Sequence, residues 1–195
     1  PLERDPGAAE RGQIMHKILE DFVRDHCMTG VPDNAYDLLL EYGQREFENM
    51  RLPDDIYVFW WPRFERLADA LVRHERKWQR EAVPALVEAY GGRDFDAPAG
   101  VFRLAARADR IDTMRDGSGA AIIDYKTGTA PQIGDIVAGF SPQLPLEALL
   151  VAGTAFSGLP VSETAELLVW QVSGGHPPFQ AKNYKADDIR RAIDN

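Results

Sequence analysis

The sequence predicts an α/β fold: a mixed central sheet flanked by helices, with a helical N-terminal part. Three observations predict it. Before Pro84 apolar residues recur at helical spacing; after it they fall into short runs separated by turns rich in Gly and Pro; a helical stretch then returns before a last apolar run. Helices followed by a meander, another helix and a strand describe a layered domain with the sheet in the middle. At 195 residues and 45% hydrophobic composition the chain can bury one sizeable core. Residues 1–195 are therefore read as a single domain, with a helical part over 8–82 and a mixed-sheet core over 83–195.

The segment 1–7 reads as a linker, and the chain as a piece of a longer protein. The first helix is expected over 8–27, where Ile14, Ile18, Leu19 and Phe22 share a face and Asp5 and Pro6 mark the start. A second is expected over 34–50 and a third over 57–80, with Phe64, Leu67, Leu71 and Trp78 on one face and Pro53 and Pro62 as punctuation. The runs 86–90, 102–111 and 120–126 are expected to form an antiparallel meander, separated by turns at Gly91–Gly92, around Gly100 and at 116–119. Ser141 and Pro142 open a helix to about 155, 163–172 is another strand, and 185–193 closes the chain as a short helix.

Composition restricts function. No apolar run approaches the roughly 18–20 residues that span a bilayer, and no signal peptide is visible. The single cysteine, Cys27, excludes an internal disulfide; a reducing, cytoplasmic setting is expected, although a periplasmic protein can also lack disulfides. The formal net charge of −9 argues against an autonomous DNA binder, because affinity for phosphate backbones is largely electrostatic. A local basic groove drawn from Arg103, Arg107, Arg110, Lys126 and Lys182 would offset it, or a partner would supply the grip; the partner is the favoured reading.

The chemistry-bearing residues centre on Asp124-Tyr125-Lys126, which ends the apolar run from Gly119. Side chains alternate along a strand, so Asp124 and Lys126 share a face. An acidic group just past buried-strand material needs a partner or a metal. Asp109 lies one strand upstream behind small alanines; Asp112, three residues on, faces the other way and is read as a turn or surface group, or as a salt-bridge partner for a nearby Arg. Two carboxylates beside an ammonium can hold a hard divalent cation and stabilise charge developing on a phosphate, which points to metal-dependent phosphodiester hydrolysis. The same residues also fit solvent-facing strand ends. His16, one turn after Gly12 in the first helix, is a candidate ligand or a packed core histidine; Gln143 is a phosphate or water contact or an exposed helix start. Glu88 is a further acidic contributor ranked below these. Tyr57, Phe59, Trp60 and Trp61 stack bases, pack the helical part on the sheet, or contact the remainder of a longer protein. Gly128 is expected to supply a turn conformation after Lys126.

In their order, Gly12 and His16, then Asp109-Arg110-Ile111-Asp112, then Asp124-Tyr125-Lys126-Thr127-Gly128, then Gln143-Leu144, these residues resemble the RecB-type branch of the PD-(D/E)XK nucleases. Within it they are most similar to the C-terminal nuclease domain of the B subunit of AddAB helicase–nucleases (AddB) of alphaproteobacterial type, over most of the chain. The resemblance implies a restriction-endonuclease-like core. It implies that His16, Asp109, Asp124 and the Tyr125 carbonyl hold Mg²⁺, with Mn²⁺ able to substitute. Asp109, Asp124 and Lys126 become the catalytic set, and Gln143 and Arg110 DNA contacts or site support. It further implies double-strand break end processing in a bacterial helicase–nuclease complex, with DNA, an AddA-type subunit and the rest of its own chain as partners. The family's trailing tyrosine is replaced by Glu147, and one cysteine cannot hold the iron–sulfur cluster of many relatives, so no cluster is expected. The alternatives are a non-catalytic scaffold or DNA-end clamp of the same fold, and a stand-alone exonuclease of the same superfamily.

Overall fold

A computed structural model describes residues 8–50, 54–98 and 100–184. The expected linker over 1–7, the start signals Asp5 and Pro6, Pro53 and the closing helix over 185–193 lie outside the described residues. In chain order the elements are α1 (Ala8–Phe22), α2 (Ala35–Asn49), α3 (Asp54–Trp78), β1 (Ala82–Ala97), β2 (Gly100–Met114), β3 (Ala120–Lys126), α4 (Ile133–Val137), α5 (Gln143–Ala152), β4 (Thr164–Gln171) and β5 (Gln180–Tyr184). A single wider turn of π-helix, Val23–Cys27, extends α1.

The sheet runs in the order β1-β2-β3-β4-β5. The expected meander is present as two antiparallel pairs, β1 with β2 and β2 with β3. α5 crosses back so that β4 joins β3 in parallel, and β5 closes the far edge antiparallel to β4. This is the mixed sheet, with a helical N-terminal part, that the sequence predicts. β1 and β2 run well past the expected strand ends, and β5 and the short α4 have no counterpart among the expected elements. Pro62 lies inside α3 rather than at its boundary. The hydrogen bond it removes is one to residue 58, on a turn whose Val58 is 70% exposed, where solvent can replace it.

β3 is buried along both faces, which is why its sequence is almost continuously apolar. Its odd residues Ala121, Ile123 and Tyr125, with Leu168 and Trp170 of β4, pack under α1–α3. Its even residues Ala120 and Ile122, with Leu167 and Val169, pack under α5. The predicted helix faces carry the first of these cores: Ile18, Leu19 and Phe22 of α1 and Phe64, Leu67 and Leu71 of α3 are all at most 4% exposed. Each contributes about 1.5–3 kcal/mol by leaving water. α2 and α3 approach so closely that a methyl group at Gly43 would come within 2.1 Å of the Phe64 ring. Gly128 lies in the bend that follows β3, reached without a left-handed backbone, and its carbonyl accepts from the Gln171 side chain at 2.7 Å.

The α1–α3 core also holds an ionic network. Arg110 is fully buried and bonds both oxygens of Glu75 at 2.7 and 2.9 Å and both oxygens of Asp112 at 2.7 Å. Trp78 donates to Asp112 as well, at 2.7 Å. Asp112 is thus the salt-bridge partner of a nearby arginine, as expected, but it is no turn or surface group. Arg110 is corrected more sharply. A guanidinium with no exposed surface, four of whose five N–H groups go to two carboxylates beneath α3, is closed to a DNA backbone.

Candidate metal centre and its lysine

The site forms where β2 and β3 part. Their pairing runs from Thr113↔Ala120 to Arg110↔Ile123 and stops there. Beyond that pair the amide of Tyr125 has lost its neighbouring strand, and the carboxylate of Asp109 takes its place, accepting at 2.8 Å. A backbone donor that must be satisfied fixes this aspartate at the mouth of the fork. It is 8% exposed.

His16 reaches the same fork from α1. Its Nε2 lies 2.9 Å from the carbonyl oxygen of Tyr125. A carbonyl can only accept, so Nε2 carries the proton, and Nδ1 turns toward Asp109 at 3.4 Å and Glu88 at 3.8 Å. Burial by itself would lower the pKa of the imidazole; hydrogen bonding to Asp109 and then Glu88 outweighs it and raises the group to about 10. The imidazolium therefore sits where two carboxylates create a cation's environment. The Tyr125 carbonyl, expected as a metal ligand, is engaged in orienting this ring. Metal-binding histidines commonly donate their other nitrogen to such an acceptor. The Tyr125 ring packs away into the core against Trp170.

His16, Glu88 and Asp109 each offer one ligand atom, all within 4.8 Å of one another. Glu88, ranked low from sequence, is thereby a central member. The pairs Val87↔Arg110 and Ala89↔Ala108 set it opposite Asp109 across β1 and β2. Its backbone is left-handed, with φ of 49°, a strained conformation for a residue with a side chain. Its other carboxylate oxygen pairs with Arg107 at 2.8 Å.

Asp124 and Lys126 share the α5 side of β3, as their spacing predicts. Asp124 stands outside the close group of three. It is 2% exposed; one oxygen accepts from the Lys126 ammonium at 2.8 Å and the other, buried, has no hydrogen-bond partner among the described residues. Burial pushes this carboxyl up to about 6 against the pull of Lys126. Lys126 also donates to the Gln143 carbonyl oxygen at 3.0 Å, and the Gln143 amide donates to Glu147 at 3.2 Å. Glu147 is 1% exposed, and burial pushes it up to about 8. Sequence reading registered Glu147 only as a missing tyrosine; its signal was an acidic residue one helical turn after Gln143.

The other expected basic contacts are dispersed. Arg103 pairs with Asp94 at 3.1 Å, and Lys182 donates to the Pro131 carbonyl at 2.6 Å.

The donor set suits a hard cation. Two carboxylates converge with an imidazole, and a further, buried carboxylate, Asp124, keeps an oxygen without a hydrogen-bond partner among the described residues. Comparison with known proteins agrees with this chemistry. The profile of the PD-(D/E)XK nuclease superfamily matches residues 2–194, and the chain belongs to that superfamily. It is similar to an uncharacterized protein of Rickettsia bellii, 24% identical over 173 residues, which cover 89% of this chain and 20% of that protein. An uncharacterized protein of Rickettsia typhi is 23% identical over 206 residues, covering 97% of this chain and 23% of its own length. The chain thus spans about a fifth of the curated relatives it matches. The solved structure of SSO0001 aligns over 94% of this chain and 85% of its own, at 15% identity and a TM-score of 0.37.

Proposed function

We propose that this domain is a Mg²⁺-dependent deoxyribonuclease, active also with Mn²⁺, that cuts DNA phosphodiester bonds at the β2–β3 fork. The observation that carries the reading is the convergence of His16, Glu88 and Asp109 within 4.8 Å beside the Asp124–Lys126 pair. His16 Nδ1, Glu88 and Asp109 would hold the ion, with the unpartnered oxygen of Asp124 as a further ligand. A bound divalent cation would lower the pKa of a coordinated water and neutralise the scissile phosphate. The imidazole nitrogen makes Mn²⁺ an acceptable substitute.

The chain's own groups do the rest. Two of the three N–H bonds of the Lys126 ammonium go to Asp124 and Gln143. The third has no acceptor among the described residues and can meet a phosphate oxygen or the attacking water, its direction fixed by the other two. Tyr125 holds His16 and Asp109 together through the backbone of a single residue, its carbonyl accepting from the first and its amide donating to the second.

The finer assignment follows the resemblance: an AddB-type exonuclease that processes double-strand breaks in a cytoplasmic bacterial helicase–nuclease complex. A net charge of −9 supports a partner, of AddA type, and the remainder of its own chain as the source of DNA grip. The test uses the intact protein. Mn²⁺ should bind in calorimetric titration, and Lys126→Ala should lower cleavage by about a hundredfold or more while leaving that binding in place. Metal-dependent cleavage retained by Asp124→Ala would overturn the reading; a wild type that folds yet binds no Mn²⁺ would favour a non-catalytic scaffold.

A further inference from the structure

On the α1–α3 side of the same strand ends lies a cavity of about 250 Å³, lined by Arg11, Met15, Trp60, Arg63, Phe64 and Thr127 among others. It is smaller than the roughly 300–1,000 Å³ of sites that engulf a whole drug-sized ligand, and suits one flat ring. Thr127 directly follows Lys126 in the chain. Gly12, which borders the groove holding His16, Glu88 and Arg107, faces Thr127 so openly that an added methyl would sit 3.7 Å from its hydroxyl. Groove and cavity therefore adjoin along the seam between Gly12 and Thr127.

The charges at the cavity are unusual for so acidic a chain. Among the described residues neither Arg11 nor Arg63 pairs with a carboxylate. Each guanidinium instead lies over a ring, Arg11 over Trp60 at 5.2 Å and Arg63 over Phe59 at 3.8 Å. Stacking holds a guanidinium plane while leaving its N–H edge for an anion. Met15 and Phe64 line the same cavity and supply an apolar wall.

We propose that this cavity is a nucleotide subsite. It takes an unpaired base of a DNA strand against the apolar wall and the adjoining phosphate on Arg11 and Arg63. The strand then continues past Thr127 and Gly12 to the cation site. The proposal rests on the nuclease reading above and adds a preference to it, for single-stranded DNA.

The test is fluorescence anisotropy on the intact protein in EDTA, so that no cleavage occurs, with a fluorescein-labelled oligothymidylate and a duplex of equal length across a salt series. The Arg11→Gln/Arg63→Gln variant should bind the single strand about tenfold or more weakly. Its salt slope should fall by about 0.7 for each phosphate contact removed. Ser173→Trp, which fills the cavity from its exposed rim and leaves both arginines, should weaken single-strand binding without changing the slope. Arg73→Gln, on the exposed surface of α3, should bind as wild type. Wild-type affinity in both cavity variants, or an equal loss for duplex, overturns the subsite. Cleavage by the wild type in Mn²⁺ is scored separately: its absence would sink the nuclease reading whatever the binding data show.

Discussion

Asp109 accepts a hydrogen bond from the amide of Tyr125, 2.8 Å away, at the point where β2 and β3 separate. One carboxylate thus terminates a strand ladder with one oxygen and faces His16 with the other. Stability and cation binding are separable at this residue. Asp109→Asn keeps an oxygen for the amide and removes the charge; Asp109→Ala leaves a buried donor without an acceptor, at about 1–3 kcal/mol. In urea denaturation with EDTA, Asn should unfold near wild type and Ala earlier, while calorimetry should find Mn²⁺ binding lost in both. Equal stability of the two variants would mean that the fork does not depend on this bond.

Glu88 carries its carboxylate into the centre on a left-handed backbone. Glu88→Ala and Glu88→Gly remove the same ligand, but only glycine tolerates φ of 49° without strain. Both should weaken Mn²⁺ binding by more than the roughly 10–100-fold that loss of an outer partner costs. Glu88→Gly should nonetheless be more stable than Glu88→Ala by about 1 kcal/mol in EDTA. A glycine variant less stable than the alanine variant would refute strain at this position.

Arg110 separates a folding role from a DNA role. Arg110→Met strands Glu75 and Asp112 as buried carboxylates, and should cost about 3–5 kcal/mol in chemical denaturation. In the fraction that remains folded at low temperature, oligonucleotide affinity should match wild type. A selective loss of DNA binding at unchanged stability would return Arg110 to the DNA surface.

The legible part of this protein was what local periodicity encodes. The α1 and α3 faces, the β1–β2–β3 meander and the shared side of Asp124 and Lys126 all follow from spacings of three to four, or of two, along one element. What was not legible depends on pairing between elements. Glu88 reaches Asp109 only because a register shift between Pro84 and Leu86 sets the β1–β2 alignment, and nothing in 86–90 alone reveals that shift. Arg110 read as a groove cation because Glu75, its partner, lies 35 residues away on α3. β5, whose Tyr184 is buried and whose other residues are half-buried or exposed, lacks the apolar run that marked the inner strands.

Glu147 gives a prediction in pH. Burial, the largest influence, raises its carboxyl from the ordinary 4.5 to about 8; the Gln143 amide opposes this, and Asp124 and Asp109 reinforce it. An acid whose pKa is raised on folding contributes stability that is fully present below its unfolded pKa and is lost as pH climbs through the folded one. Between pH 6 and 8 the unfolded chain has already released this proton, while the folded protein largely retains it. Stability should therefore fall by about 1 kcal/mol per pH unit on account of Glu147 alone. Glu147→Gln keeps an acceptor for Gln143 and removes the titration. His16, raised to about 10, adds its own loss in the same window, but equally in both proteins. The difference between wild type and variant isolates Glu147. Urea denaturation in EDTA at pH 6, 7 and 8 should show the Gln variant gaining on wild type by about 2 kcal/mol across the range. Parallel stability curves would mean that Glu147 is ionised in the folded protein, with its charge met by Lys126 through Gln143.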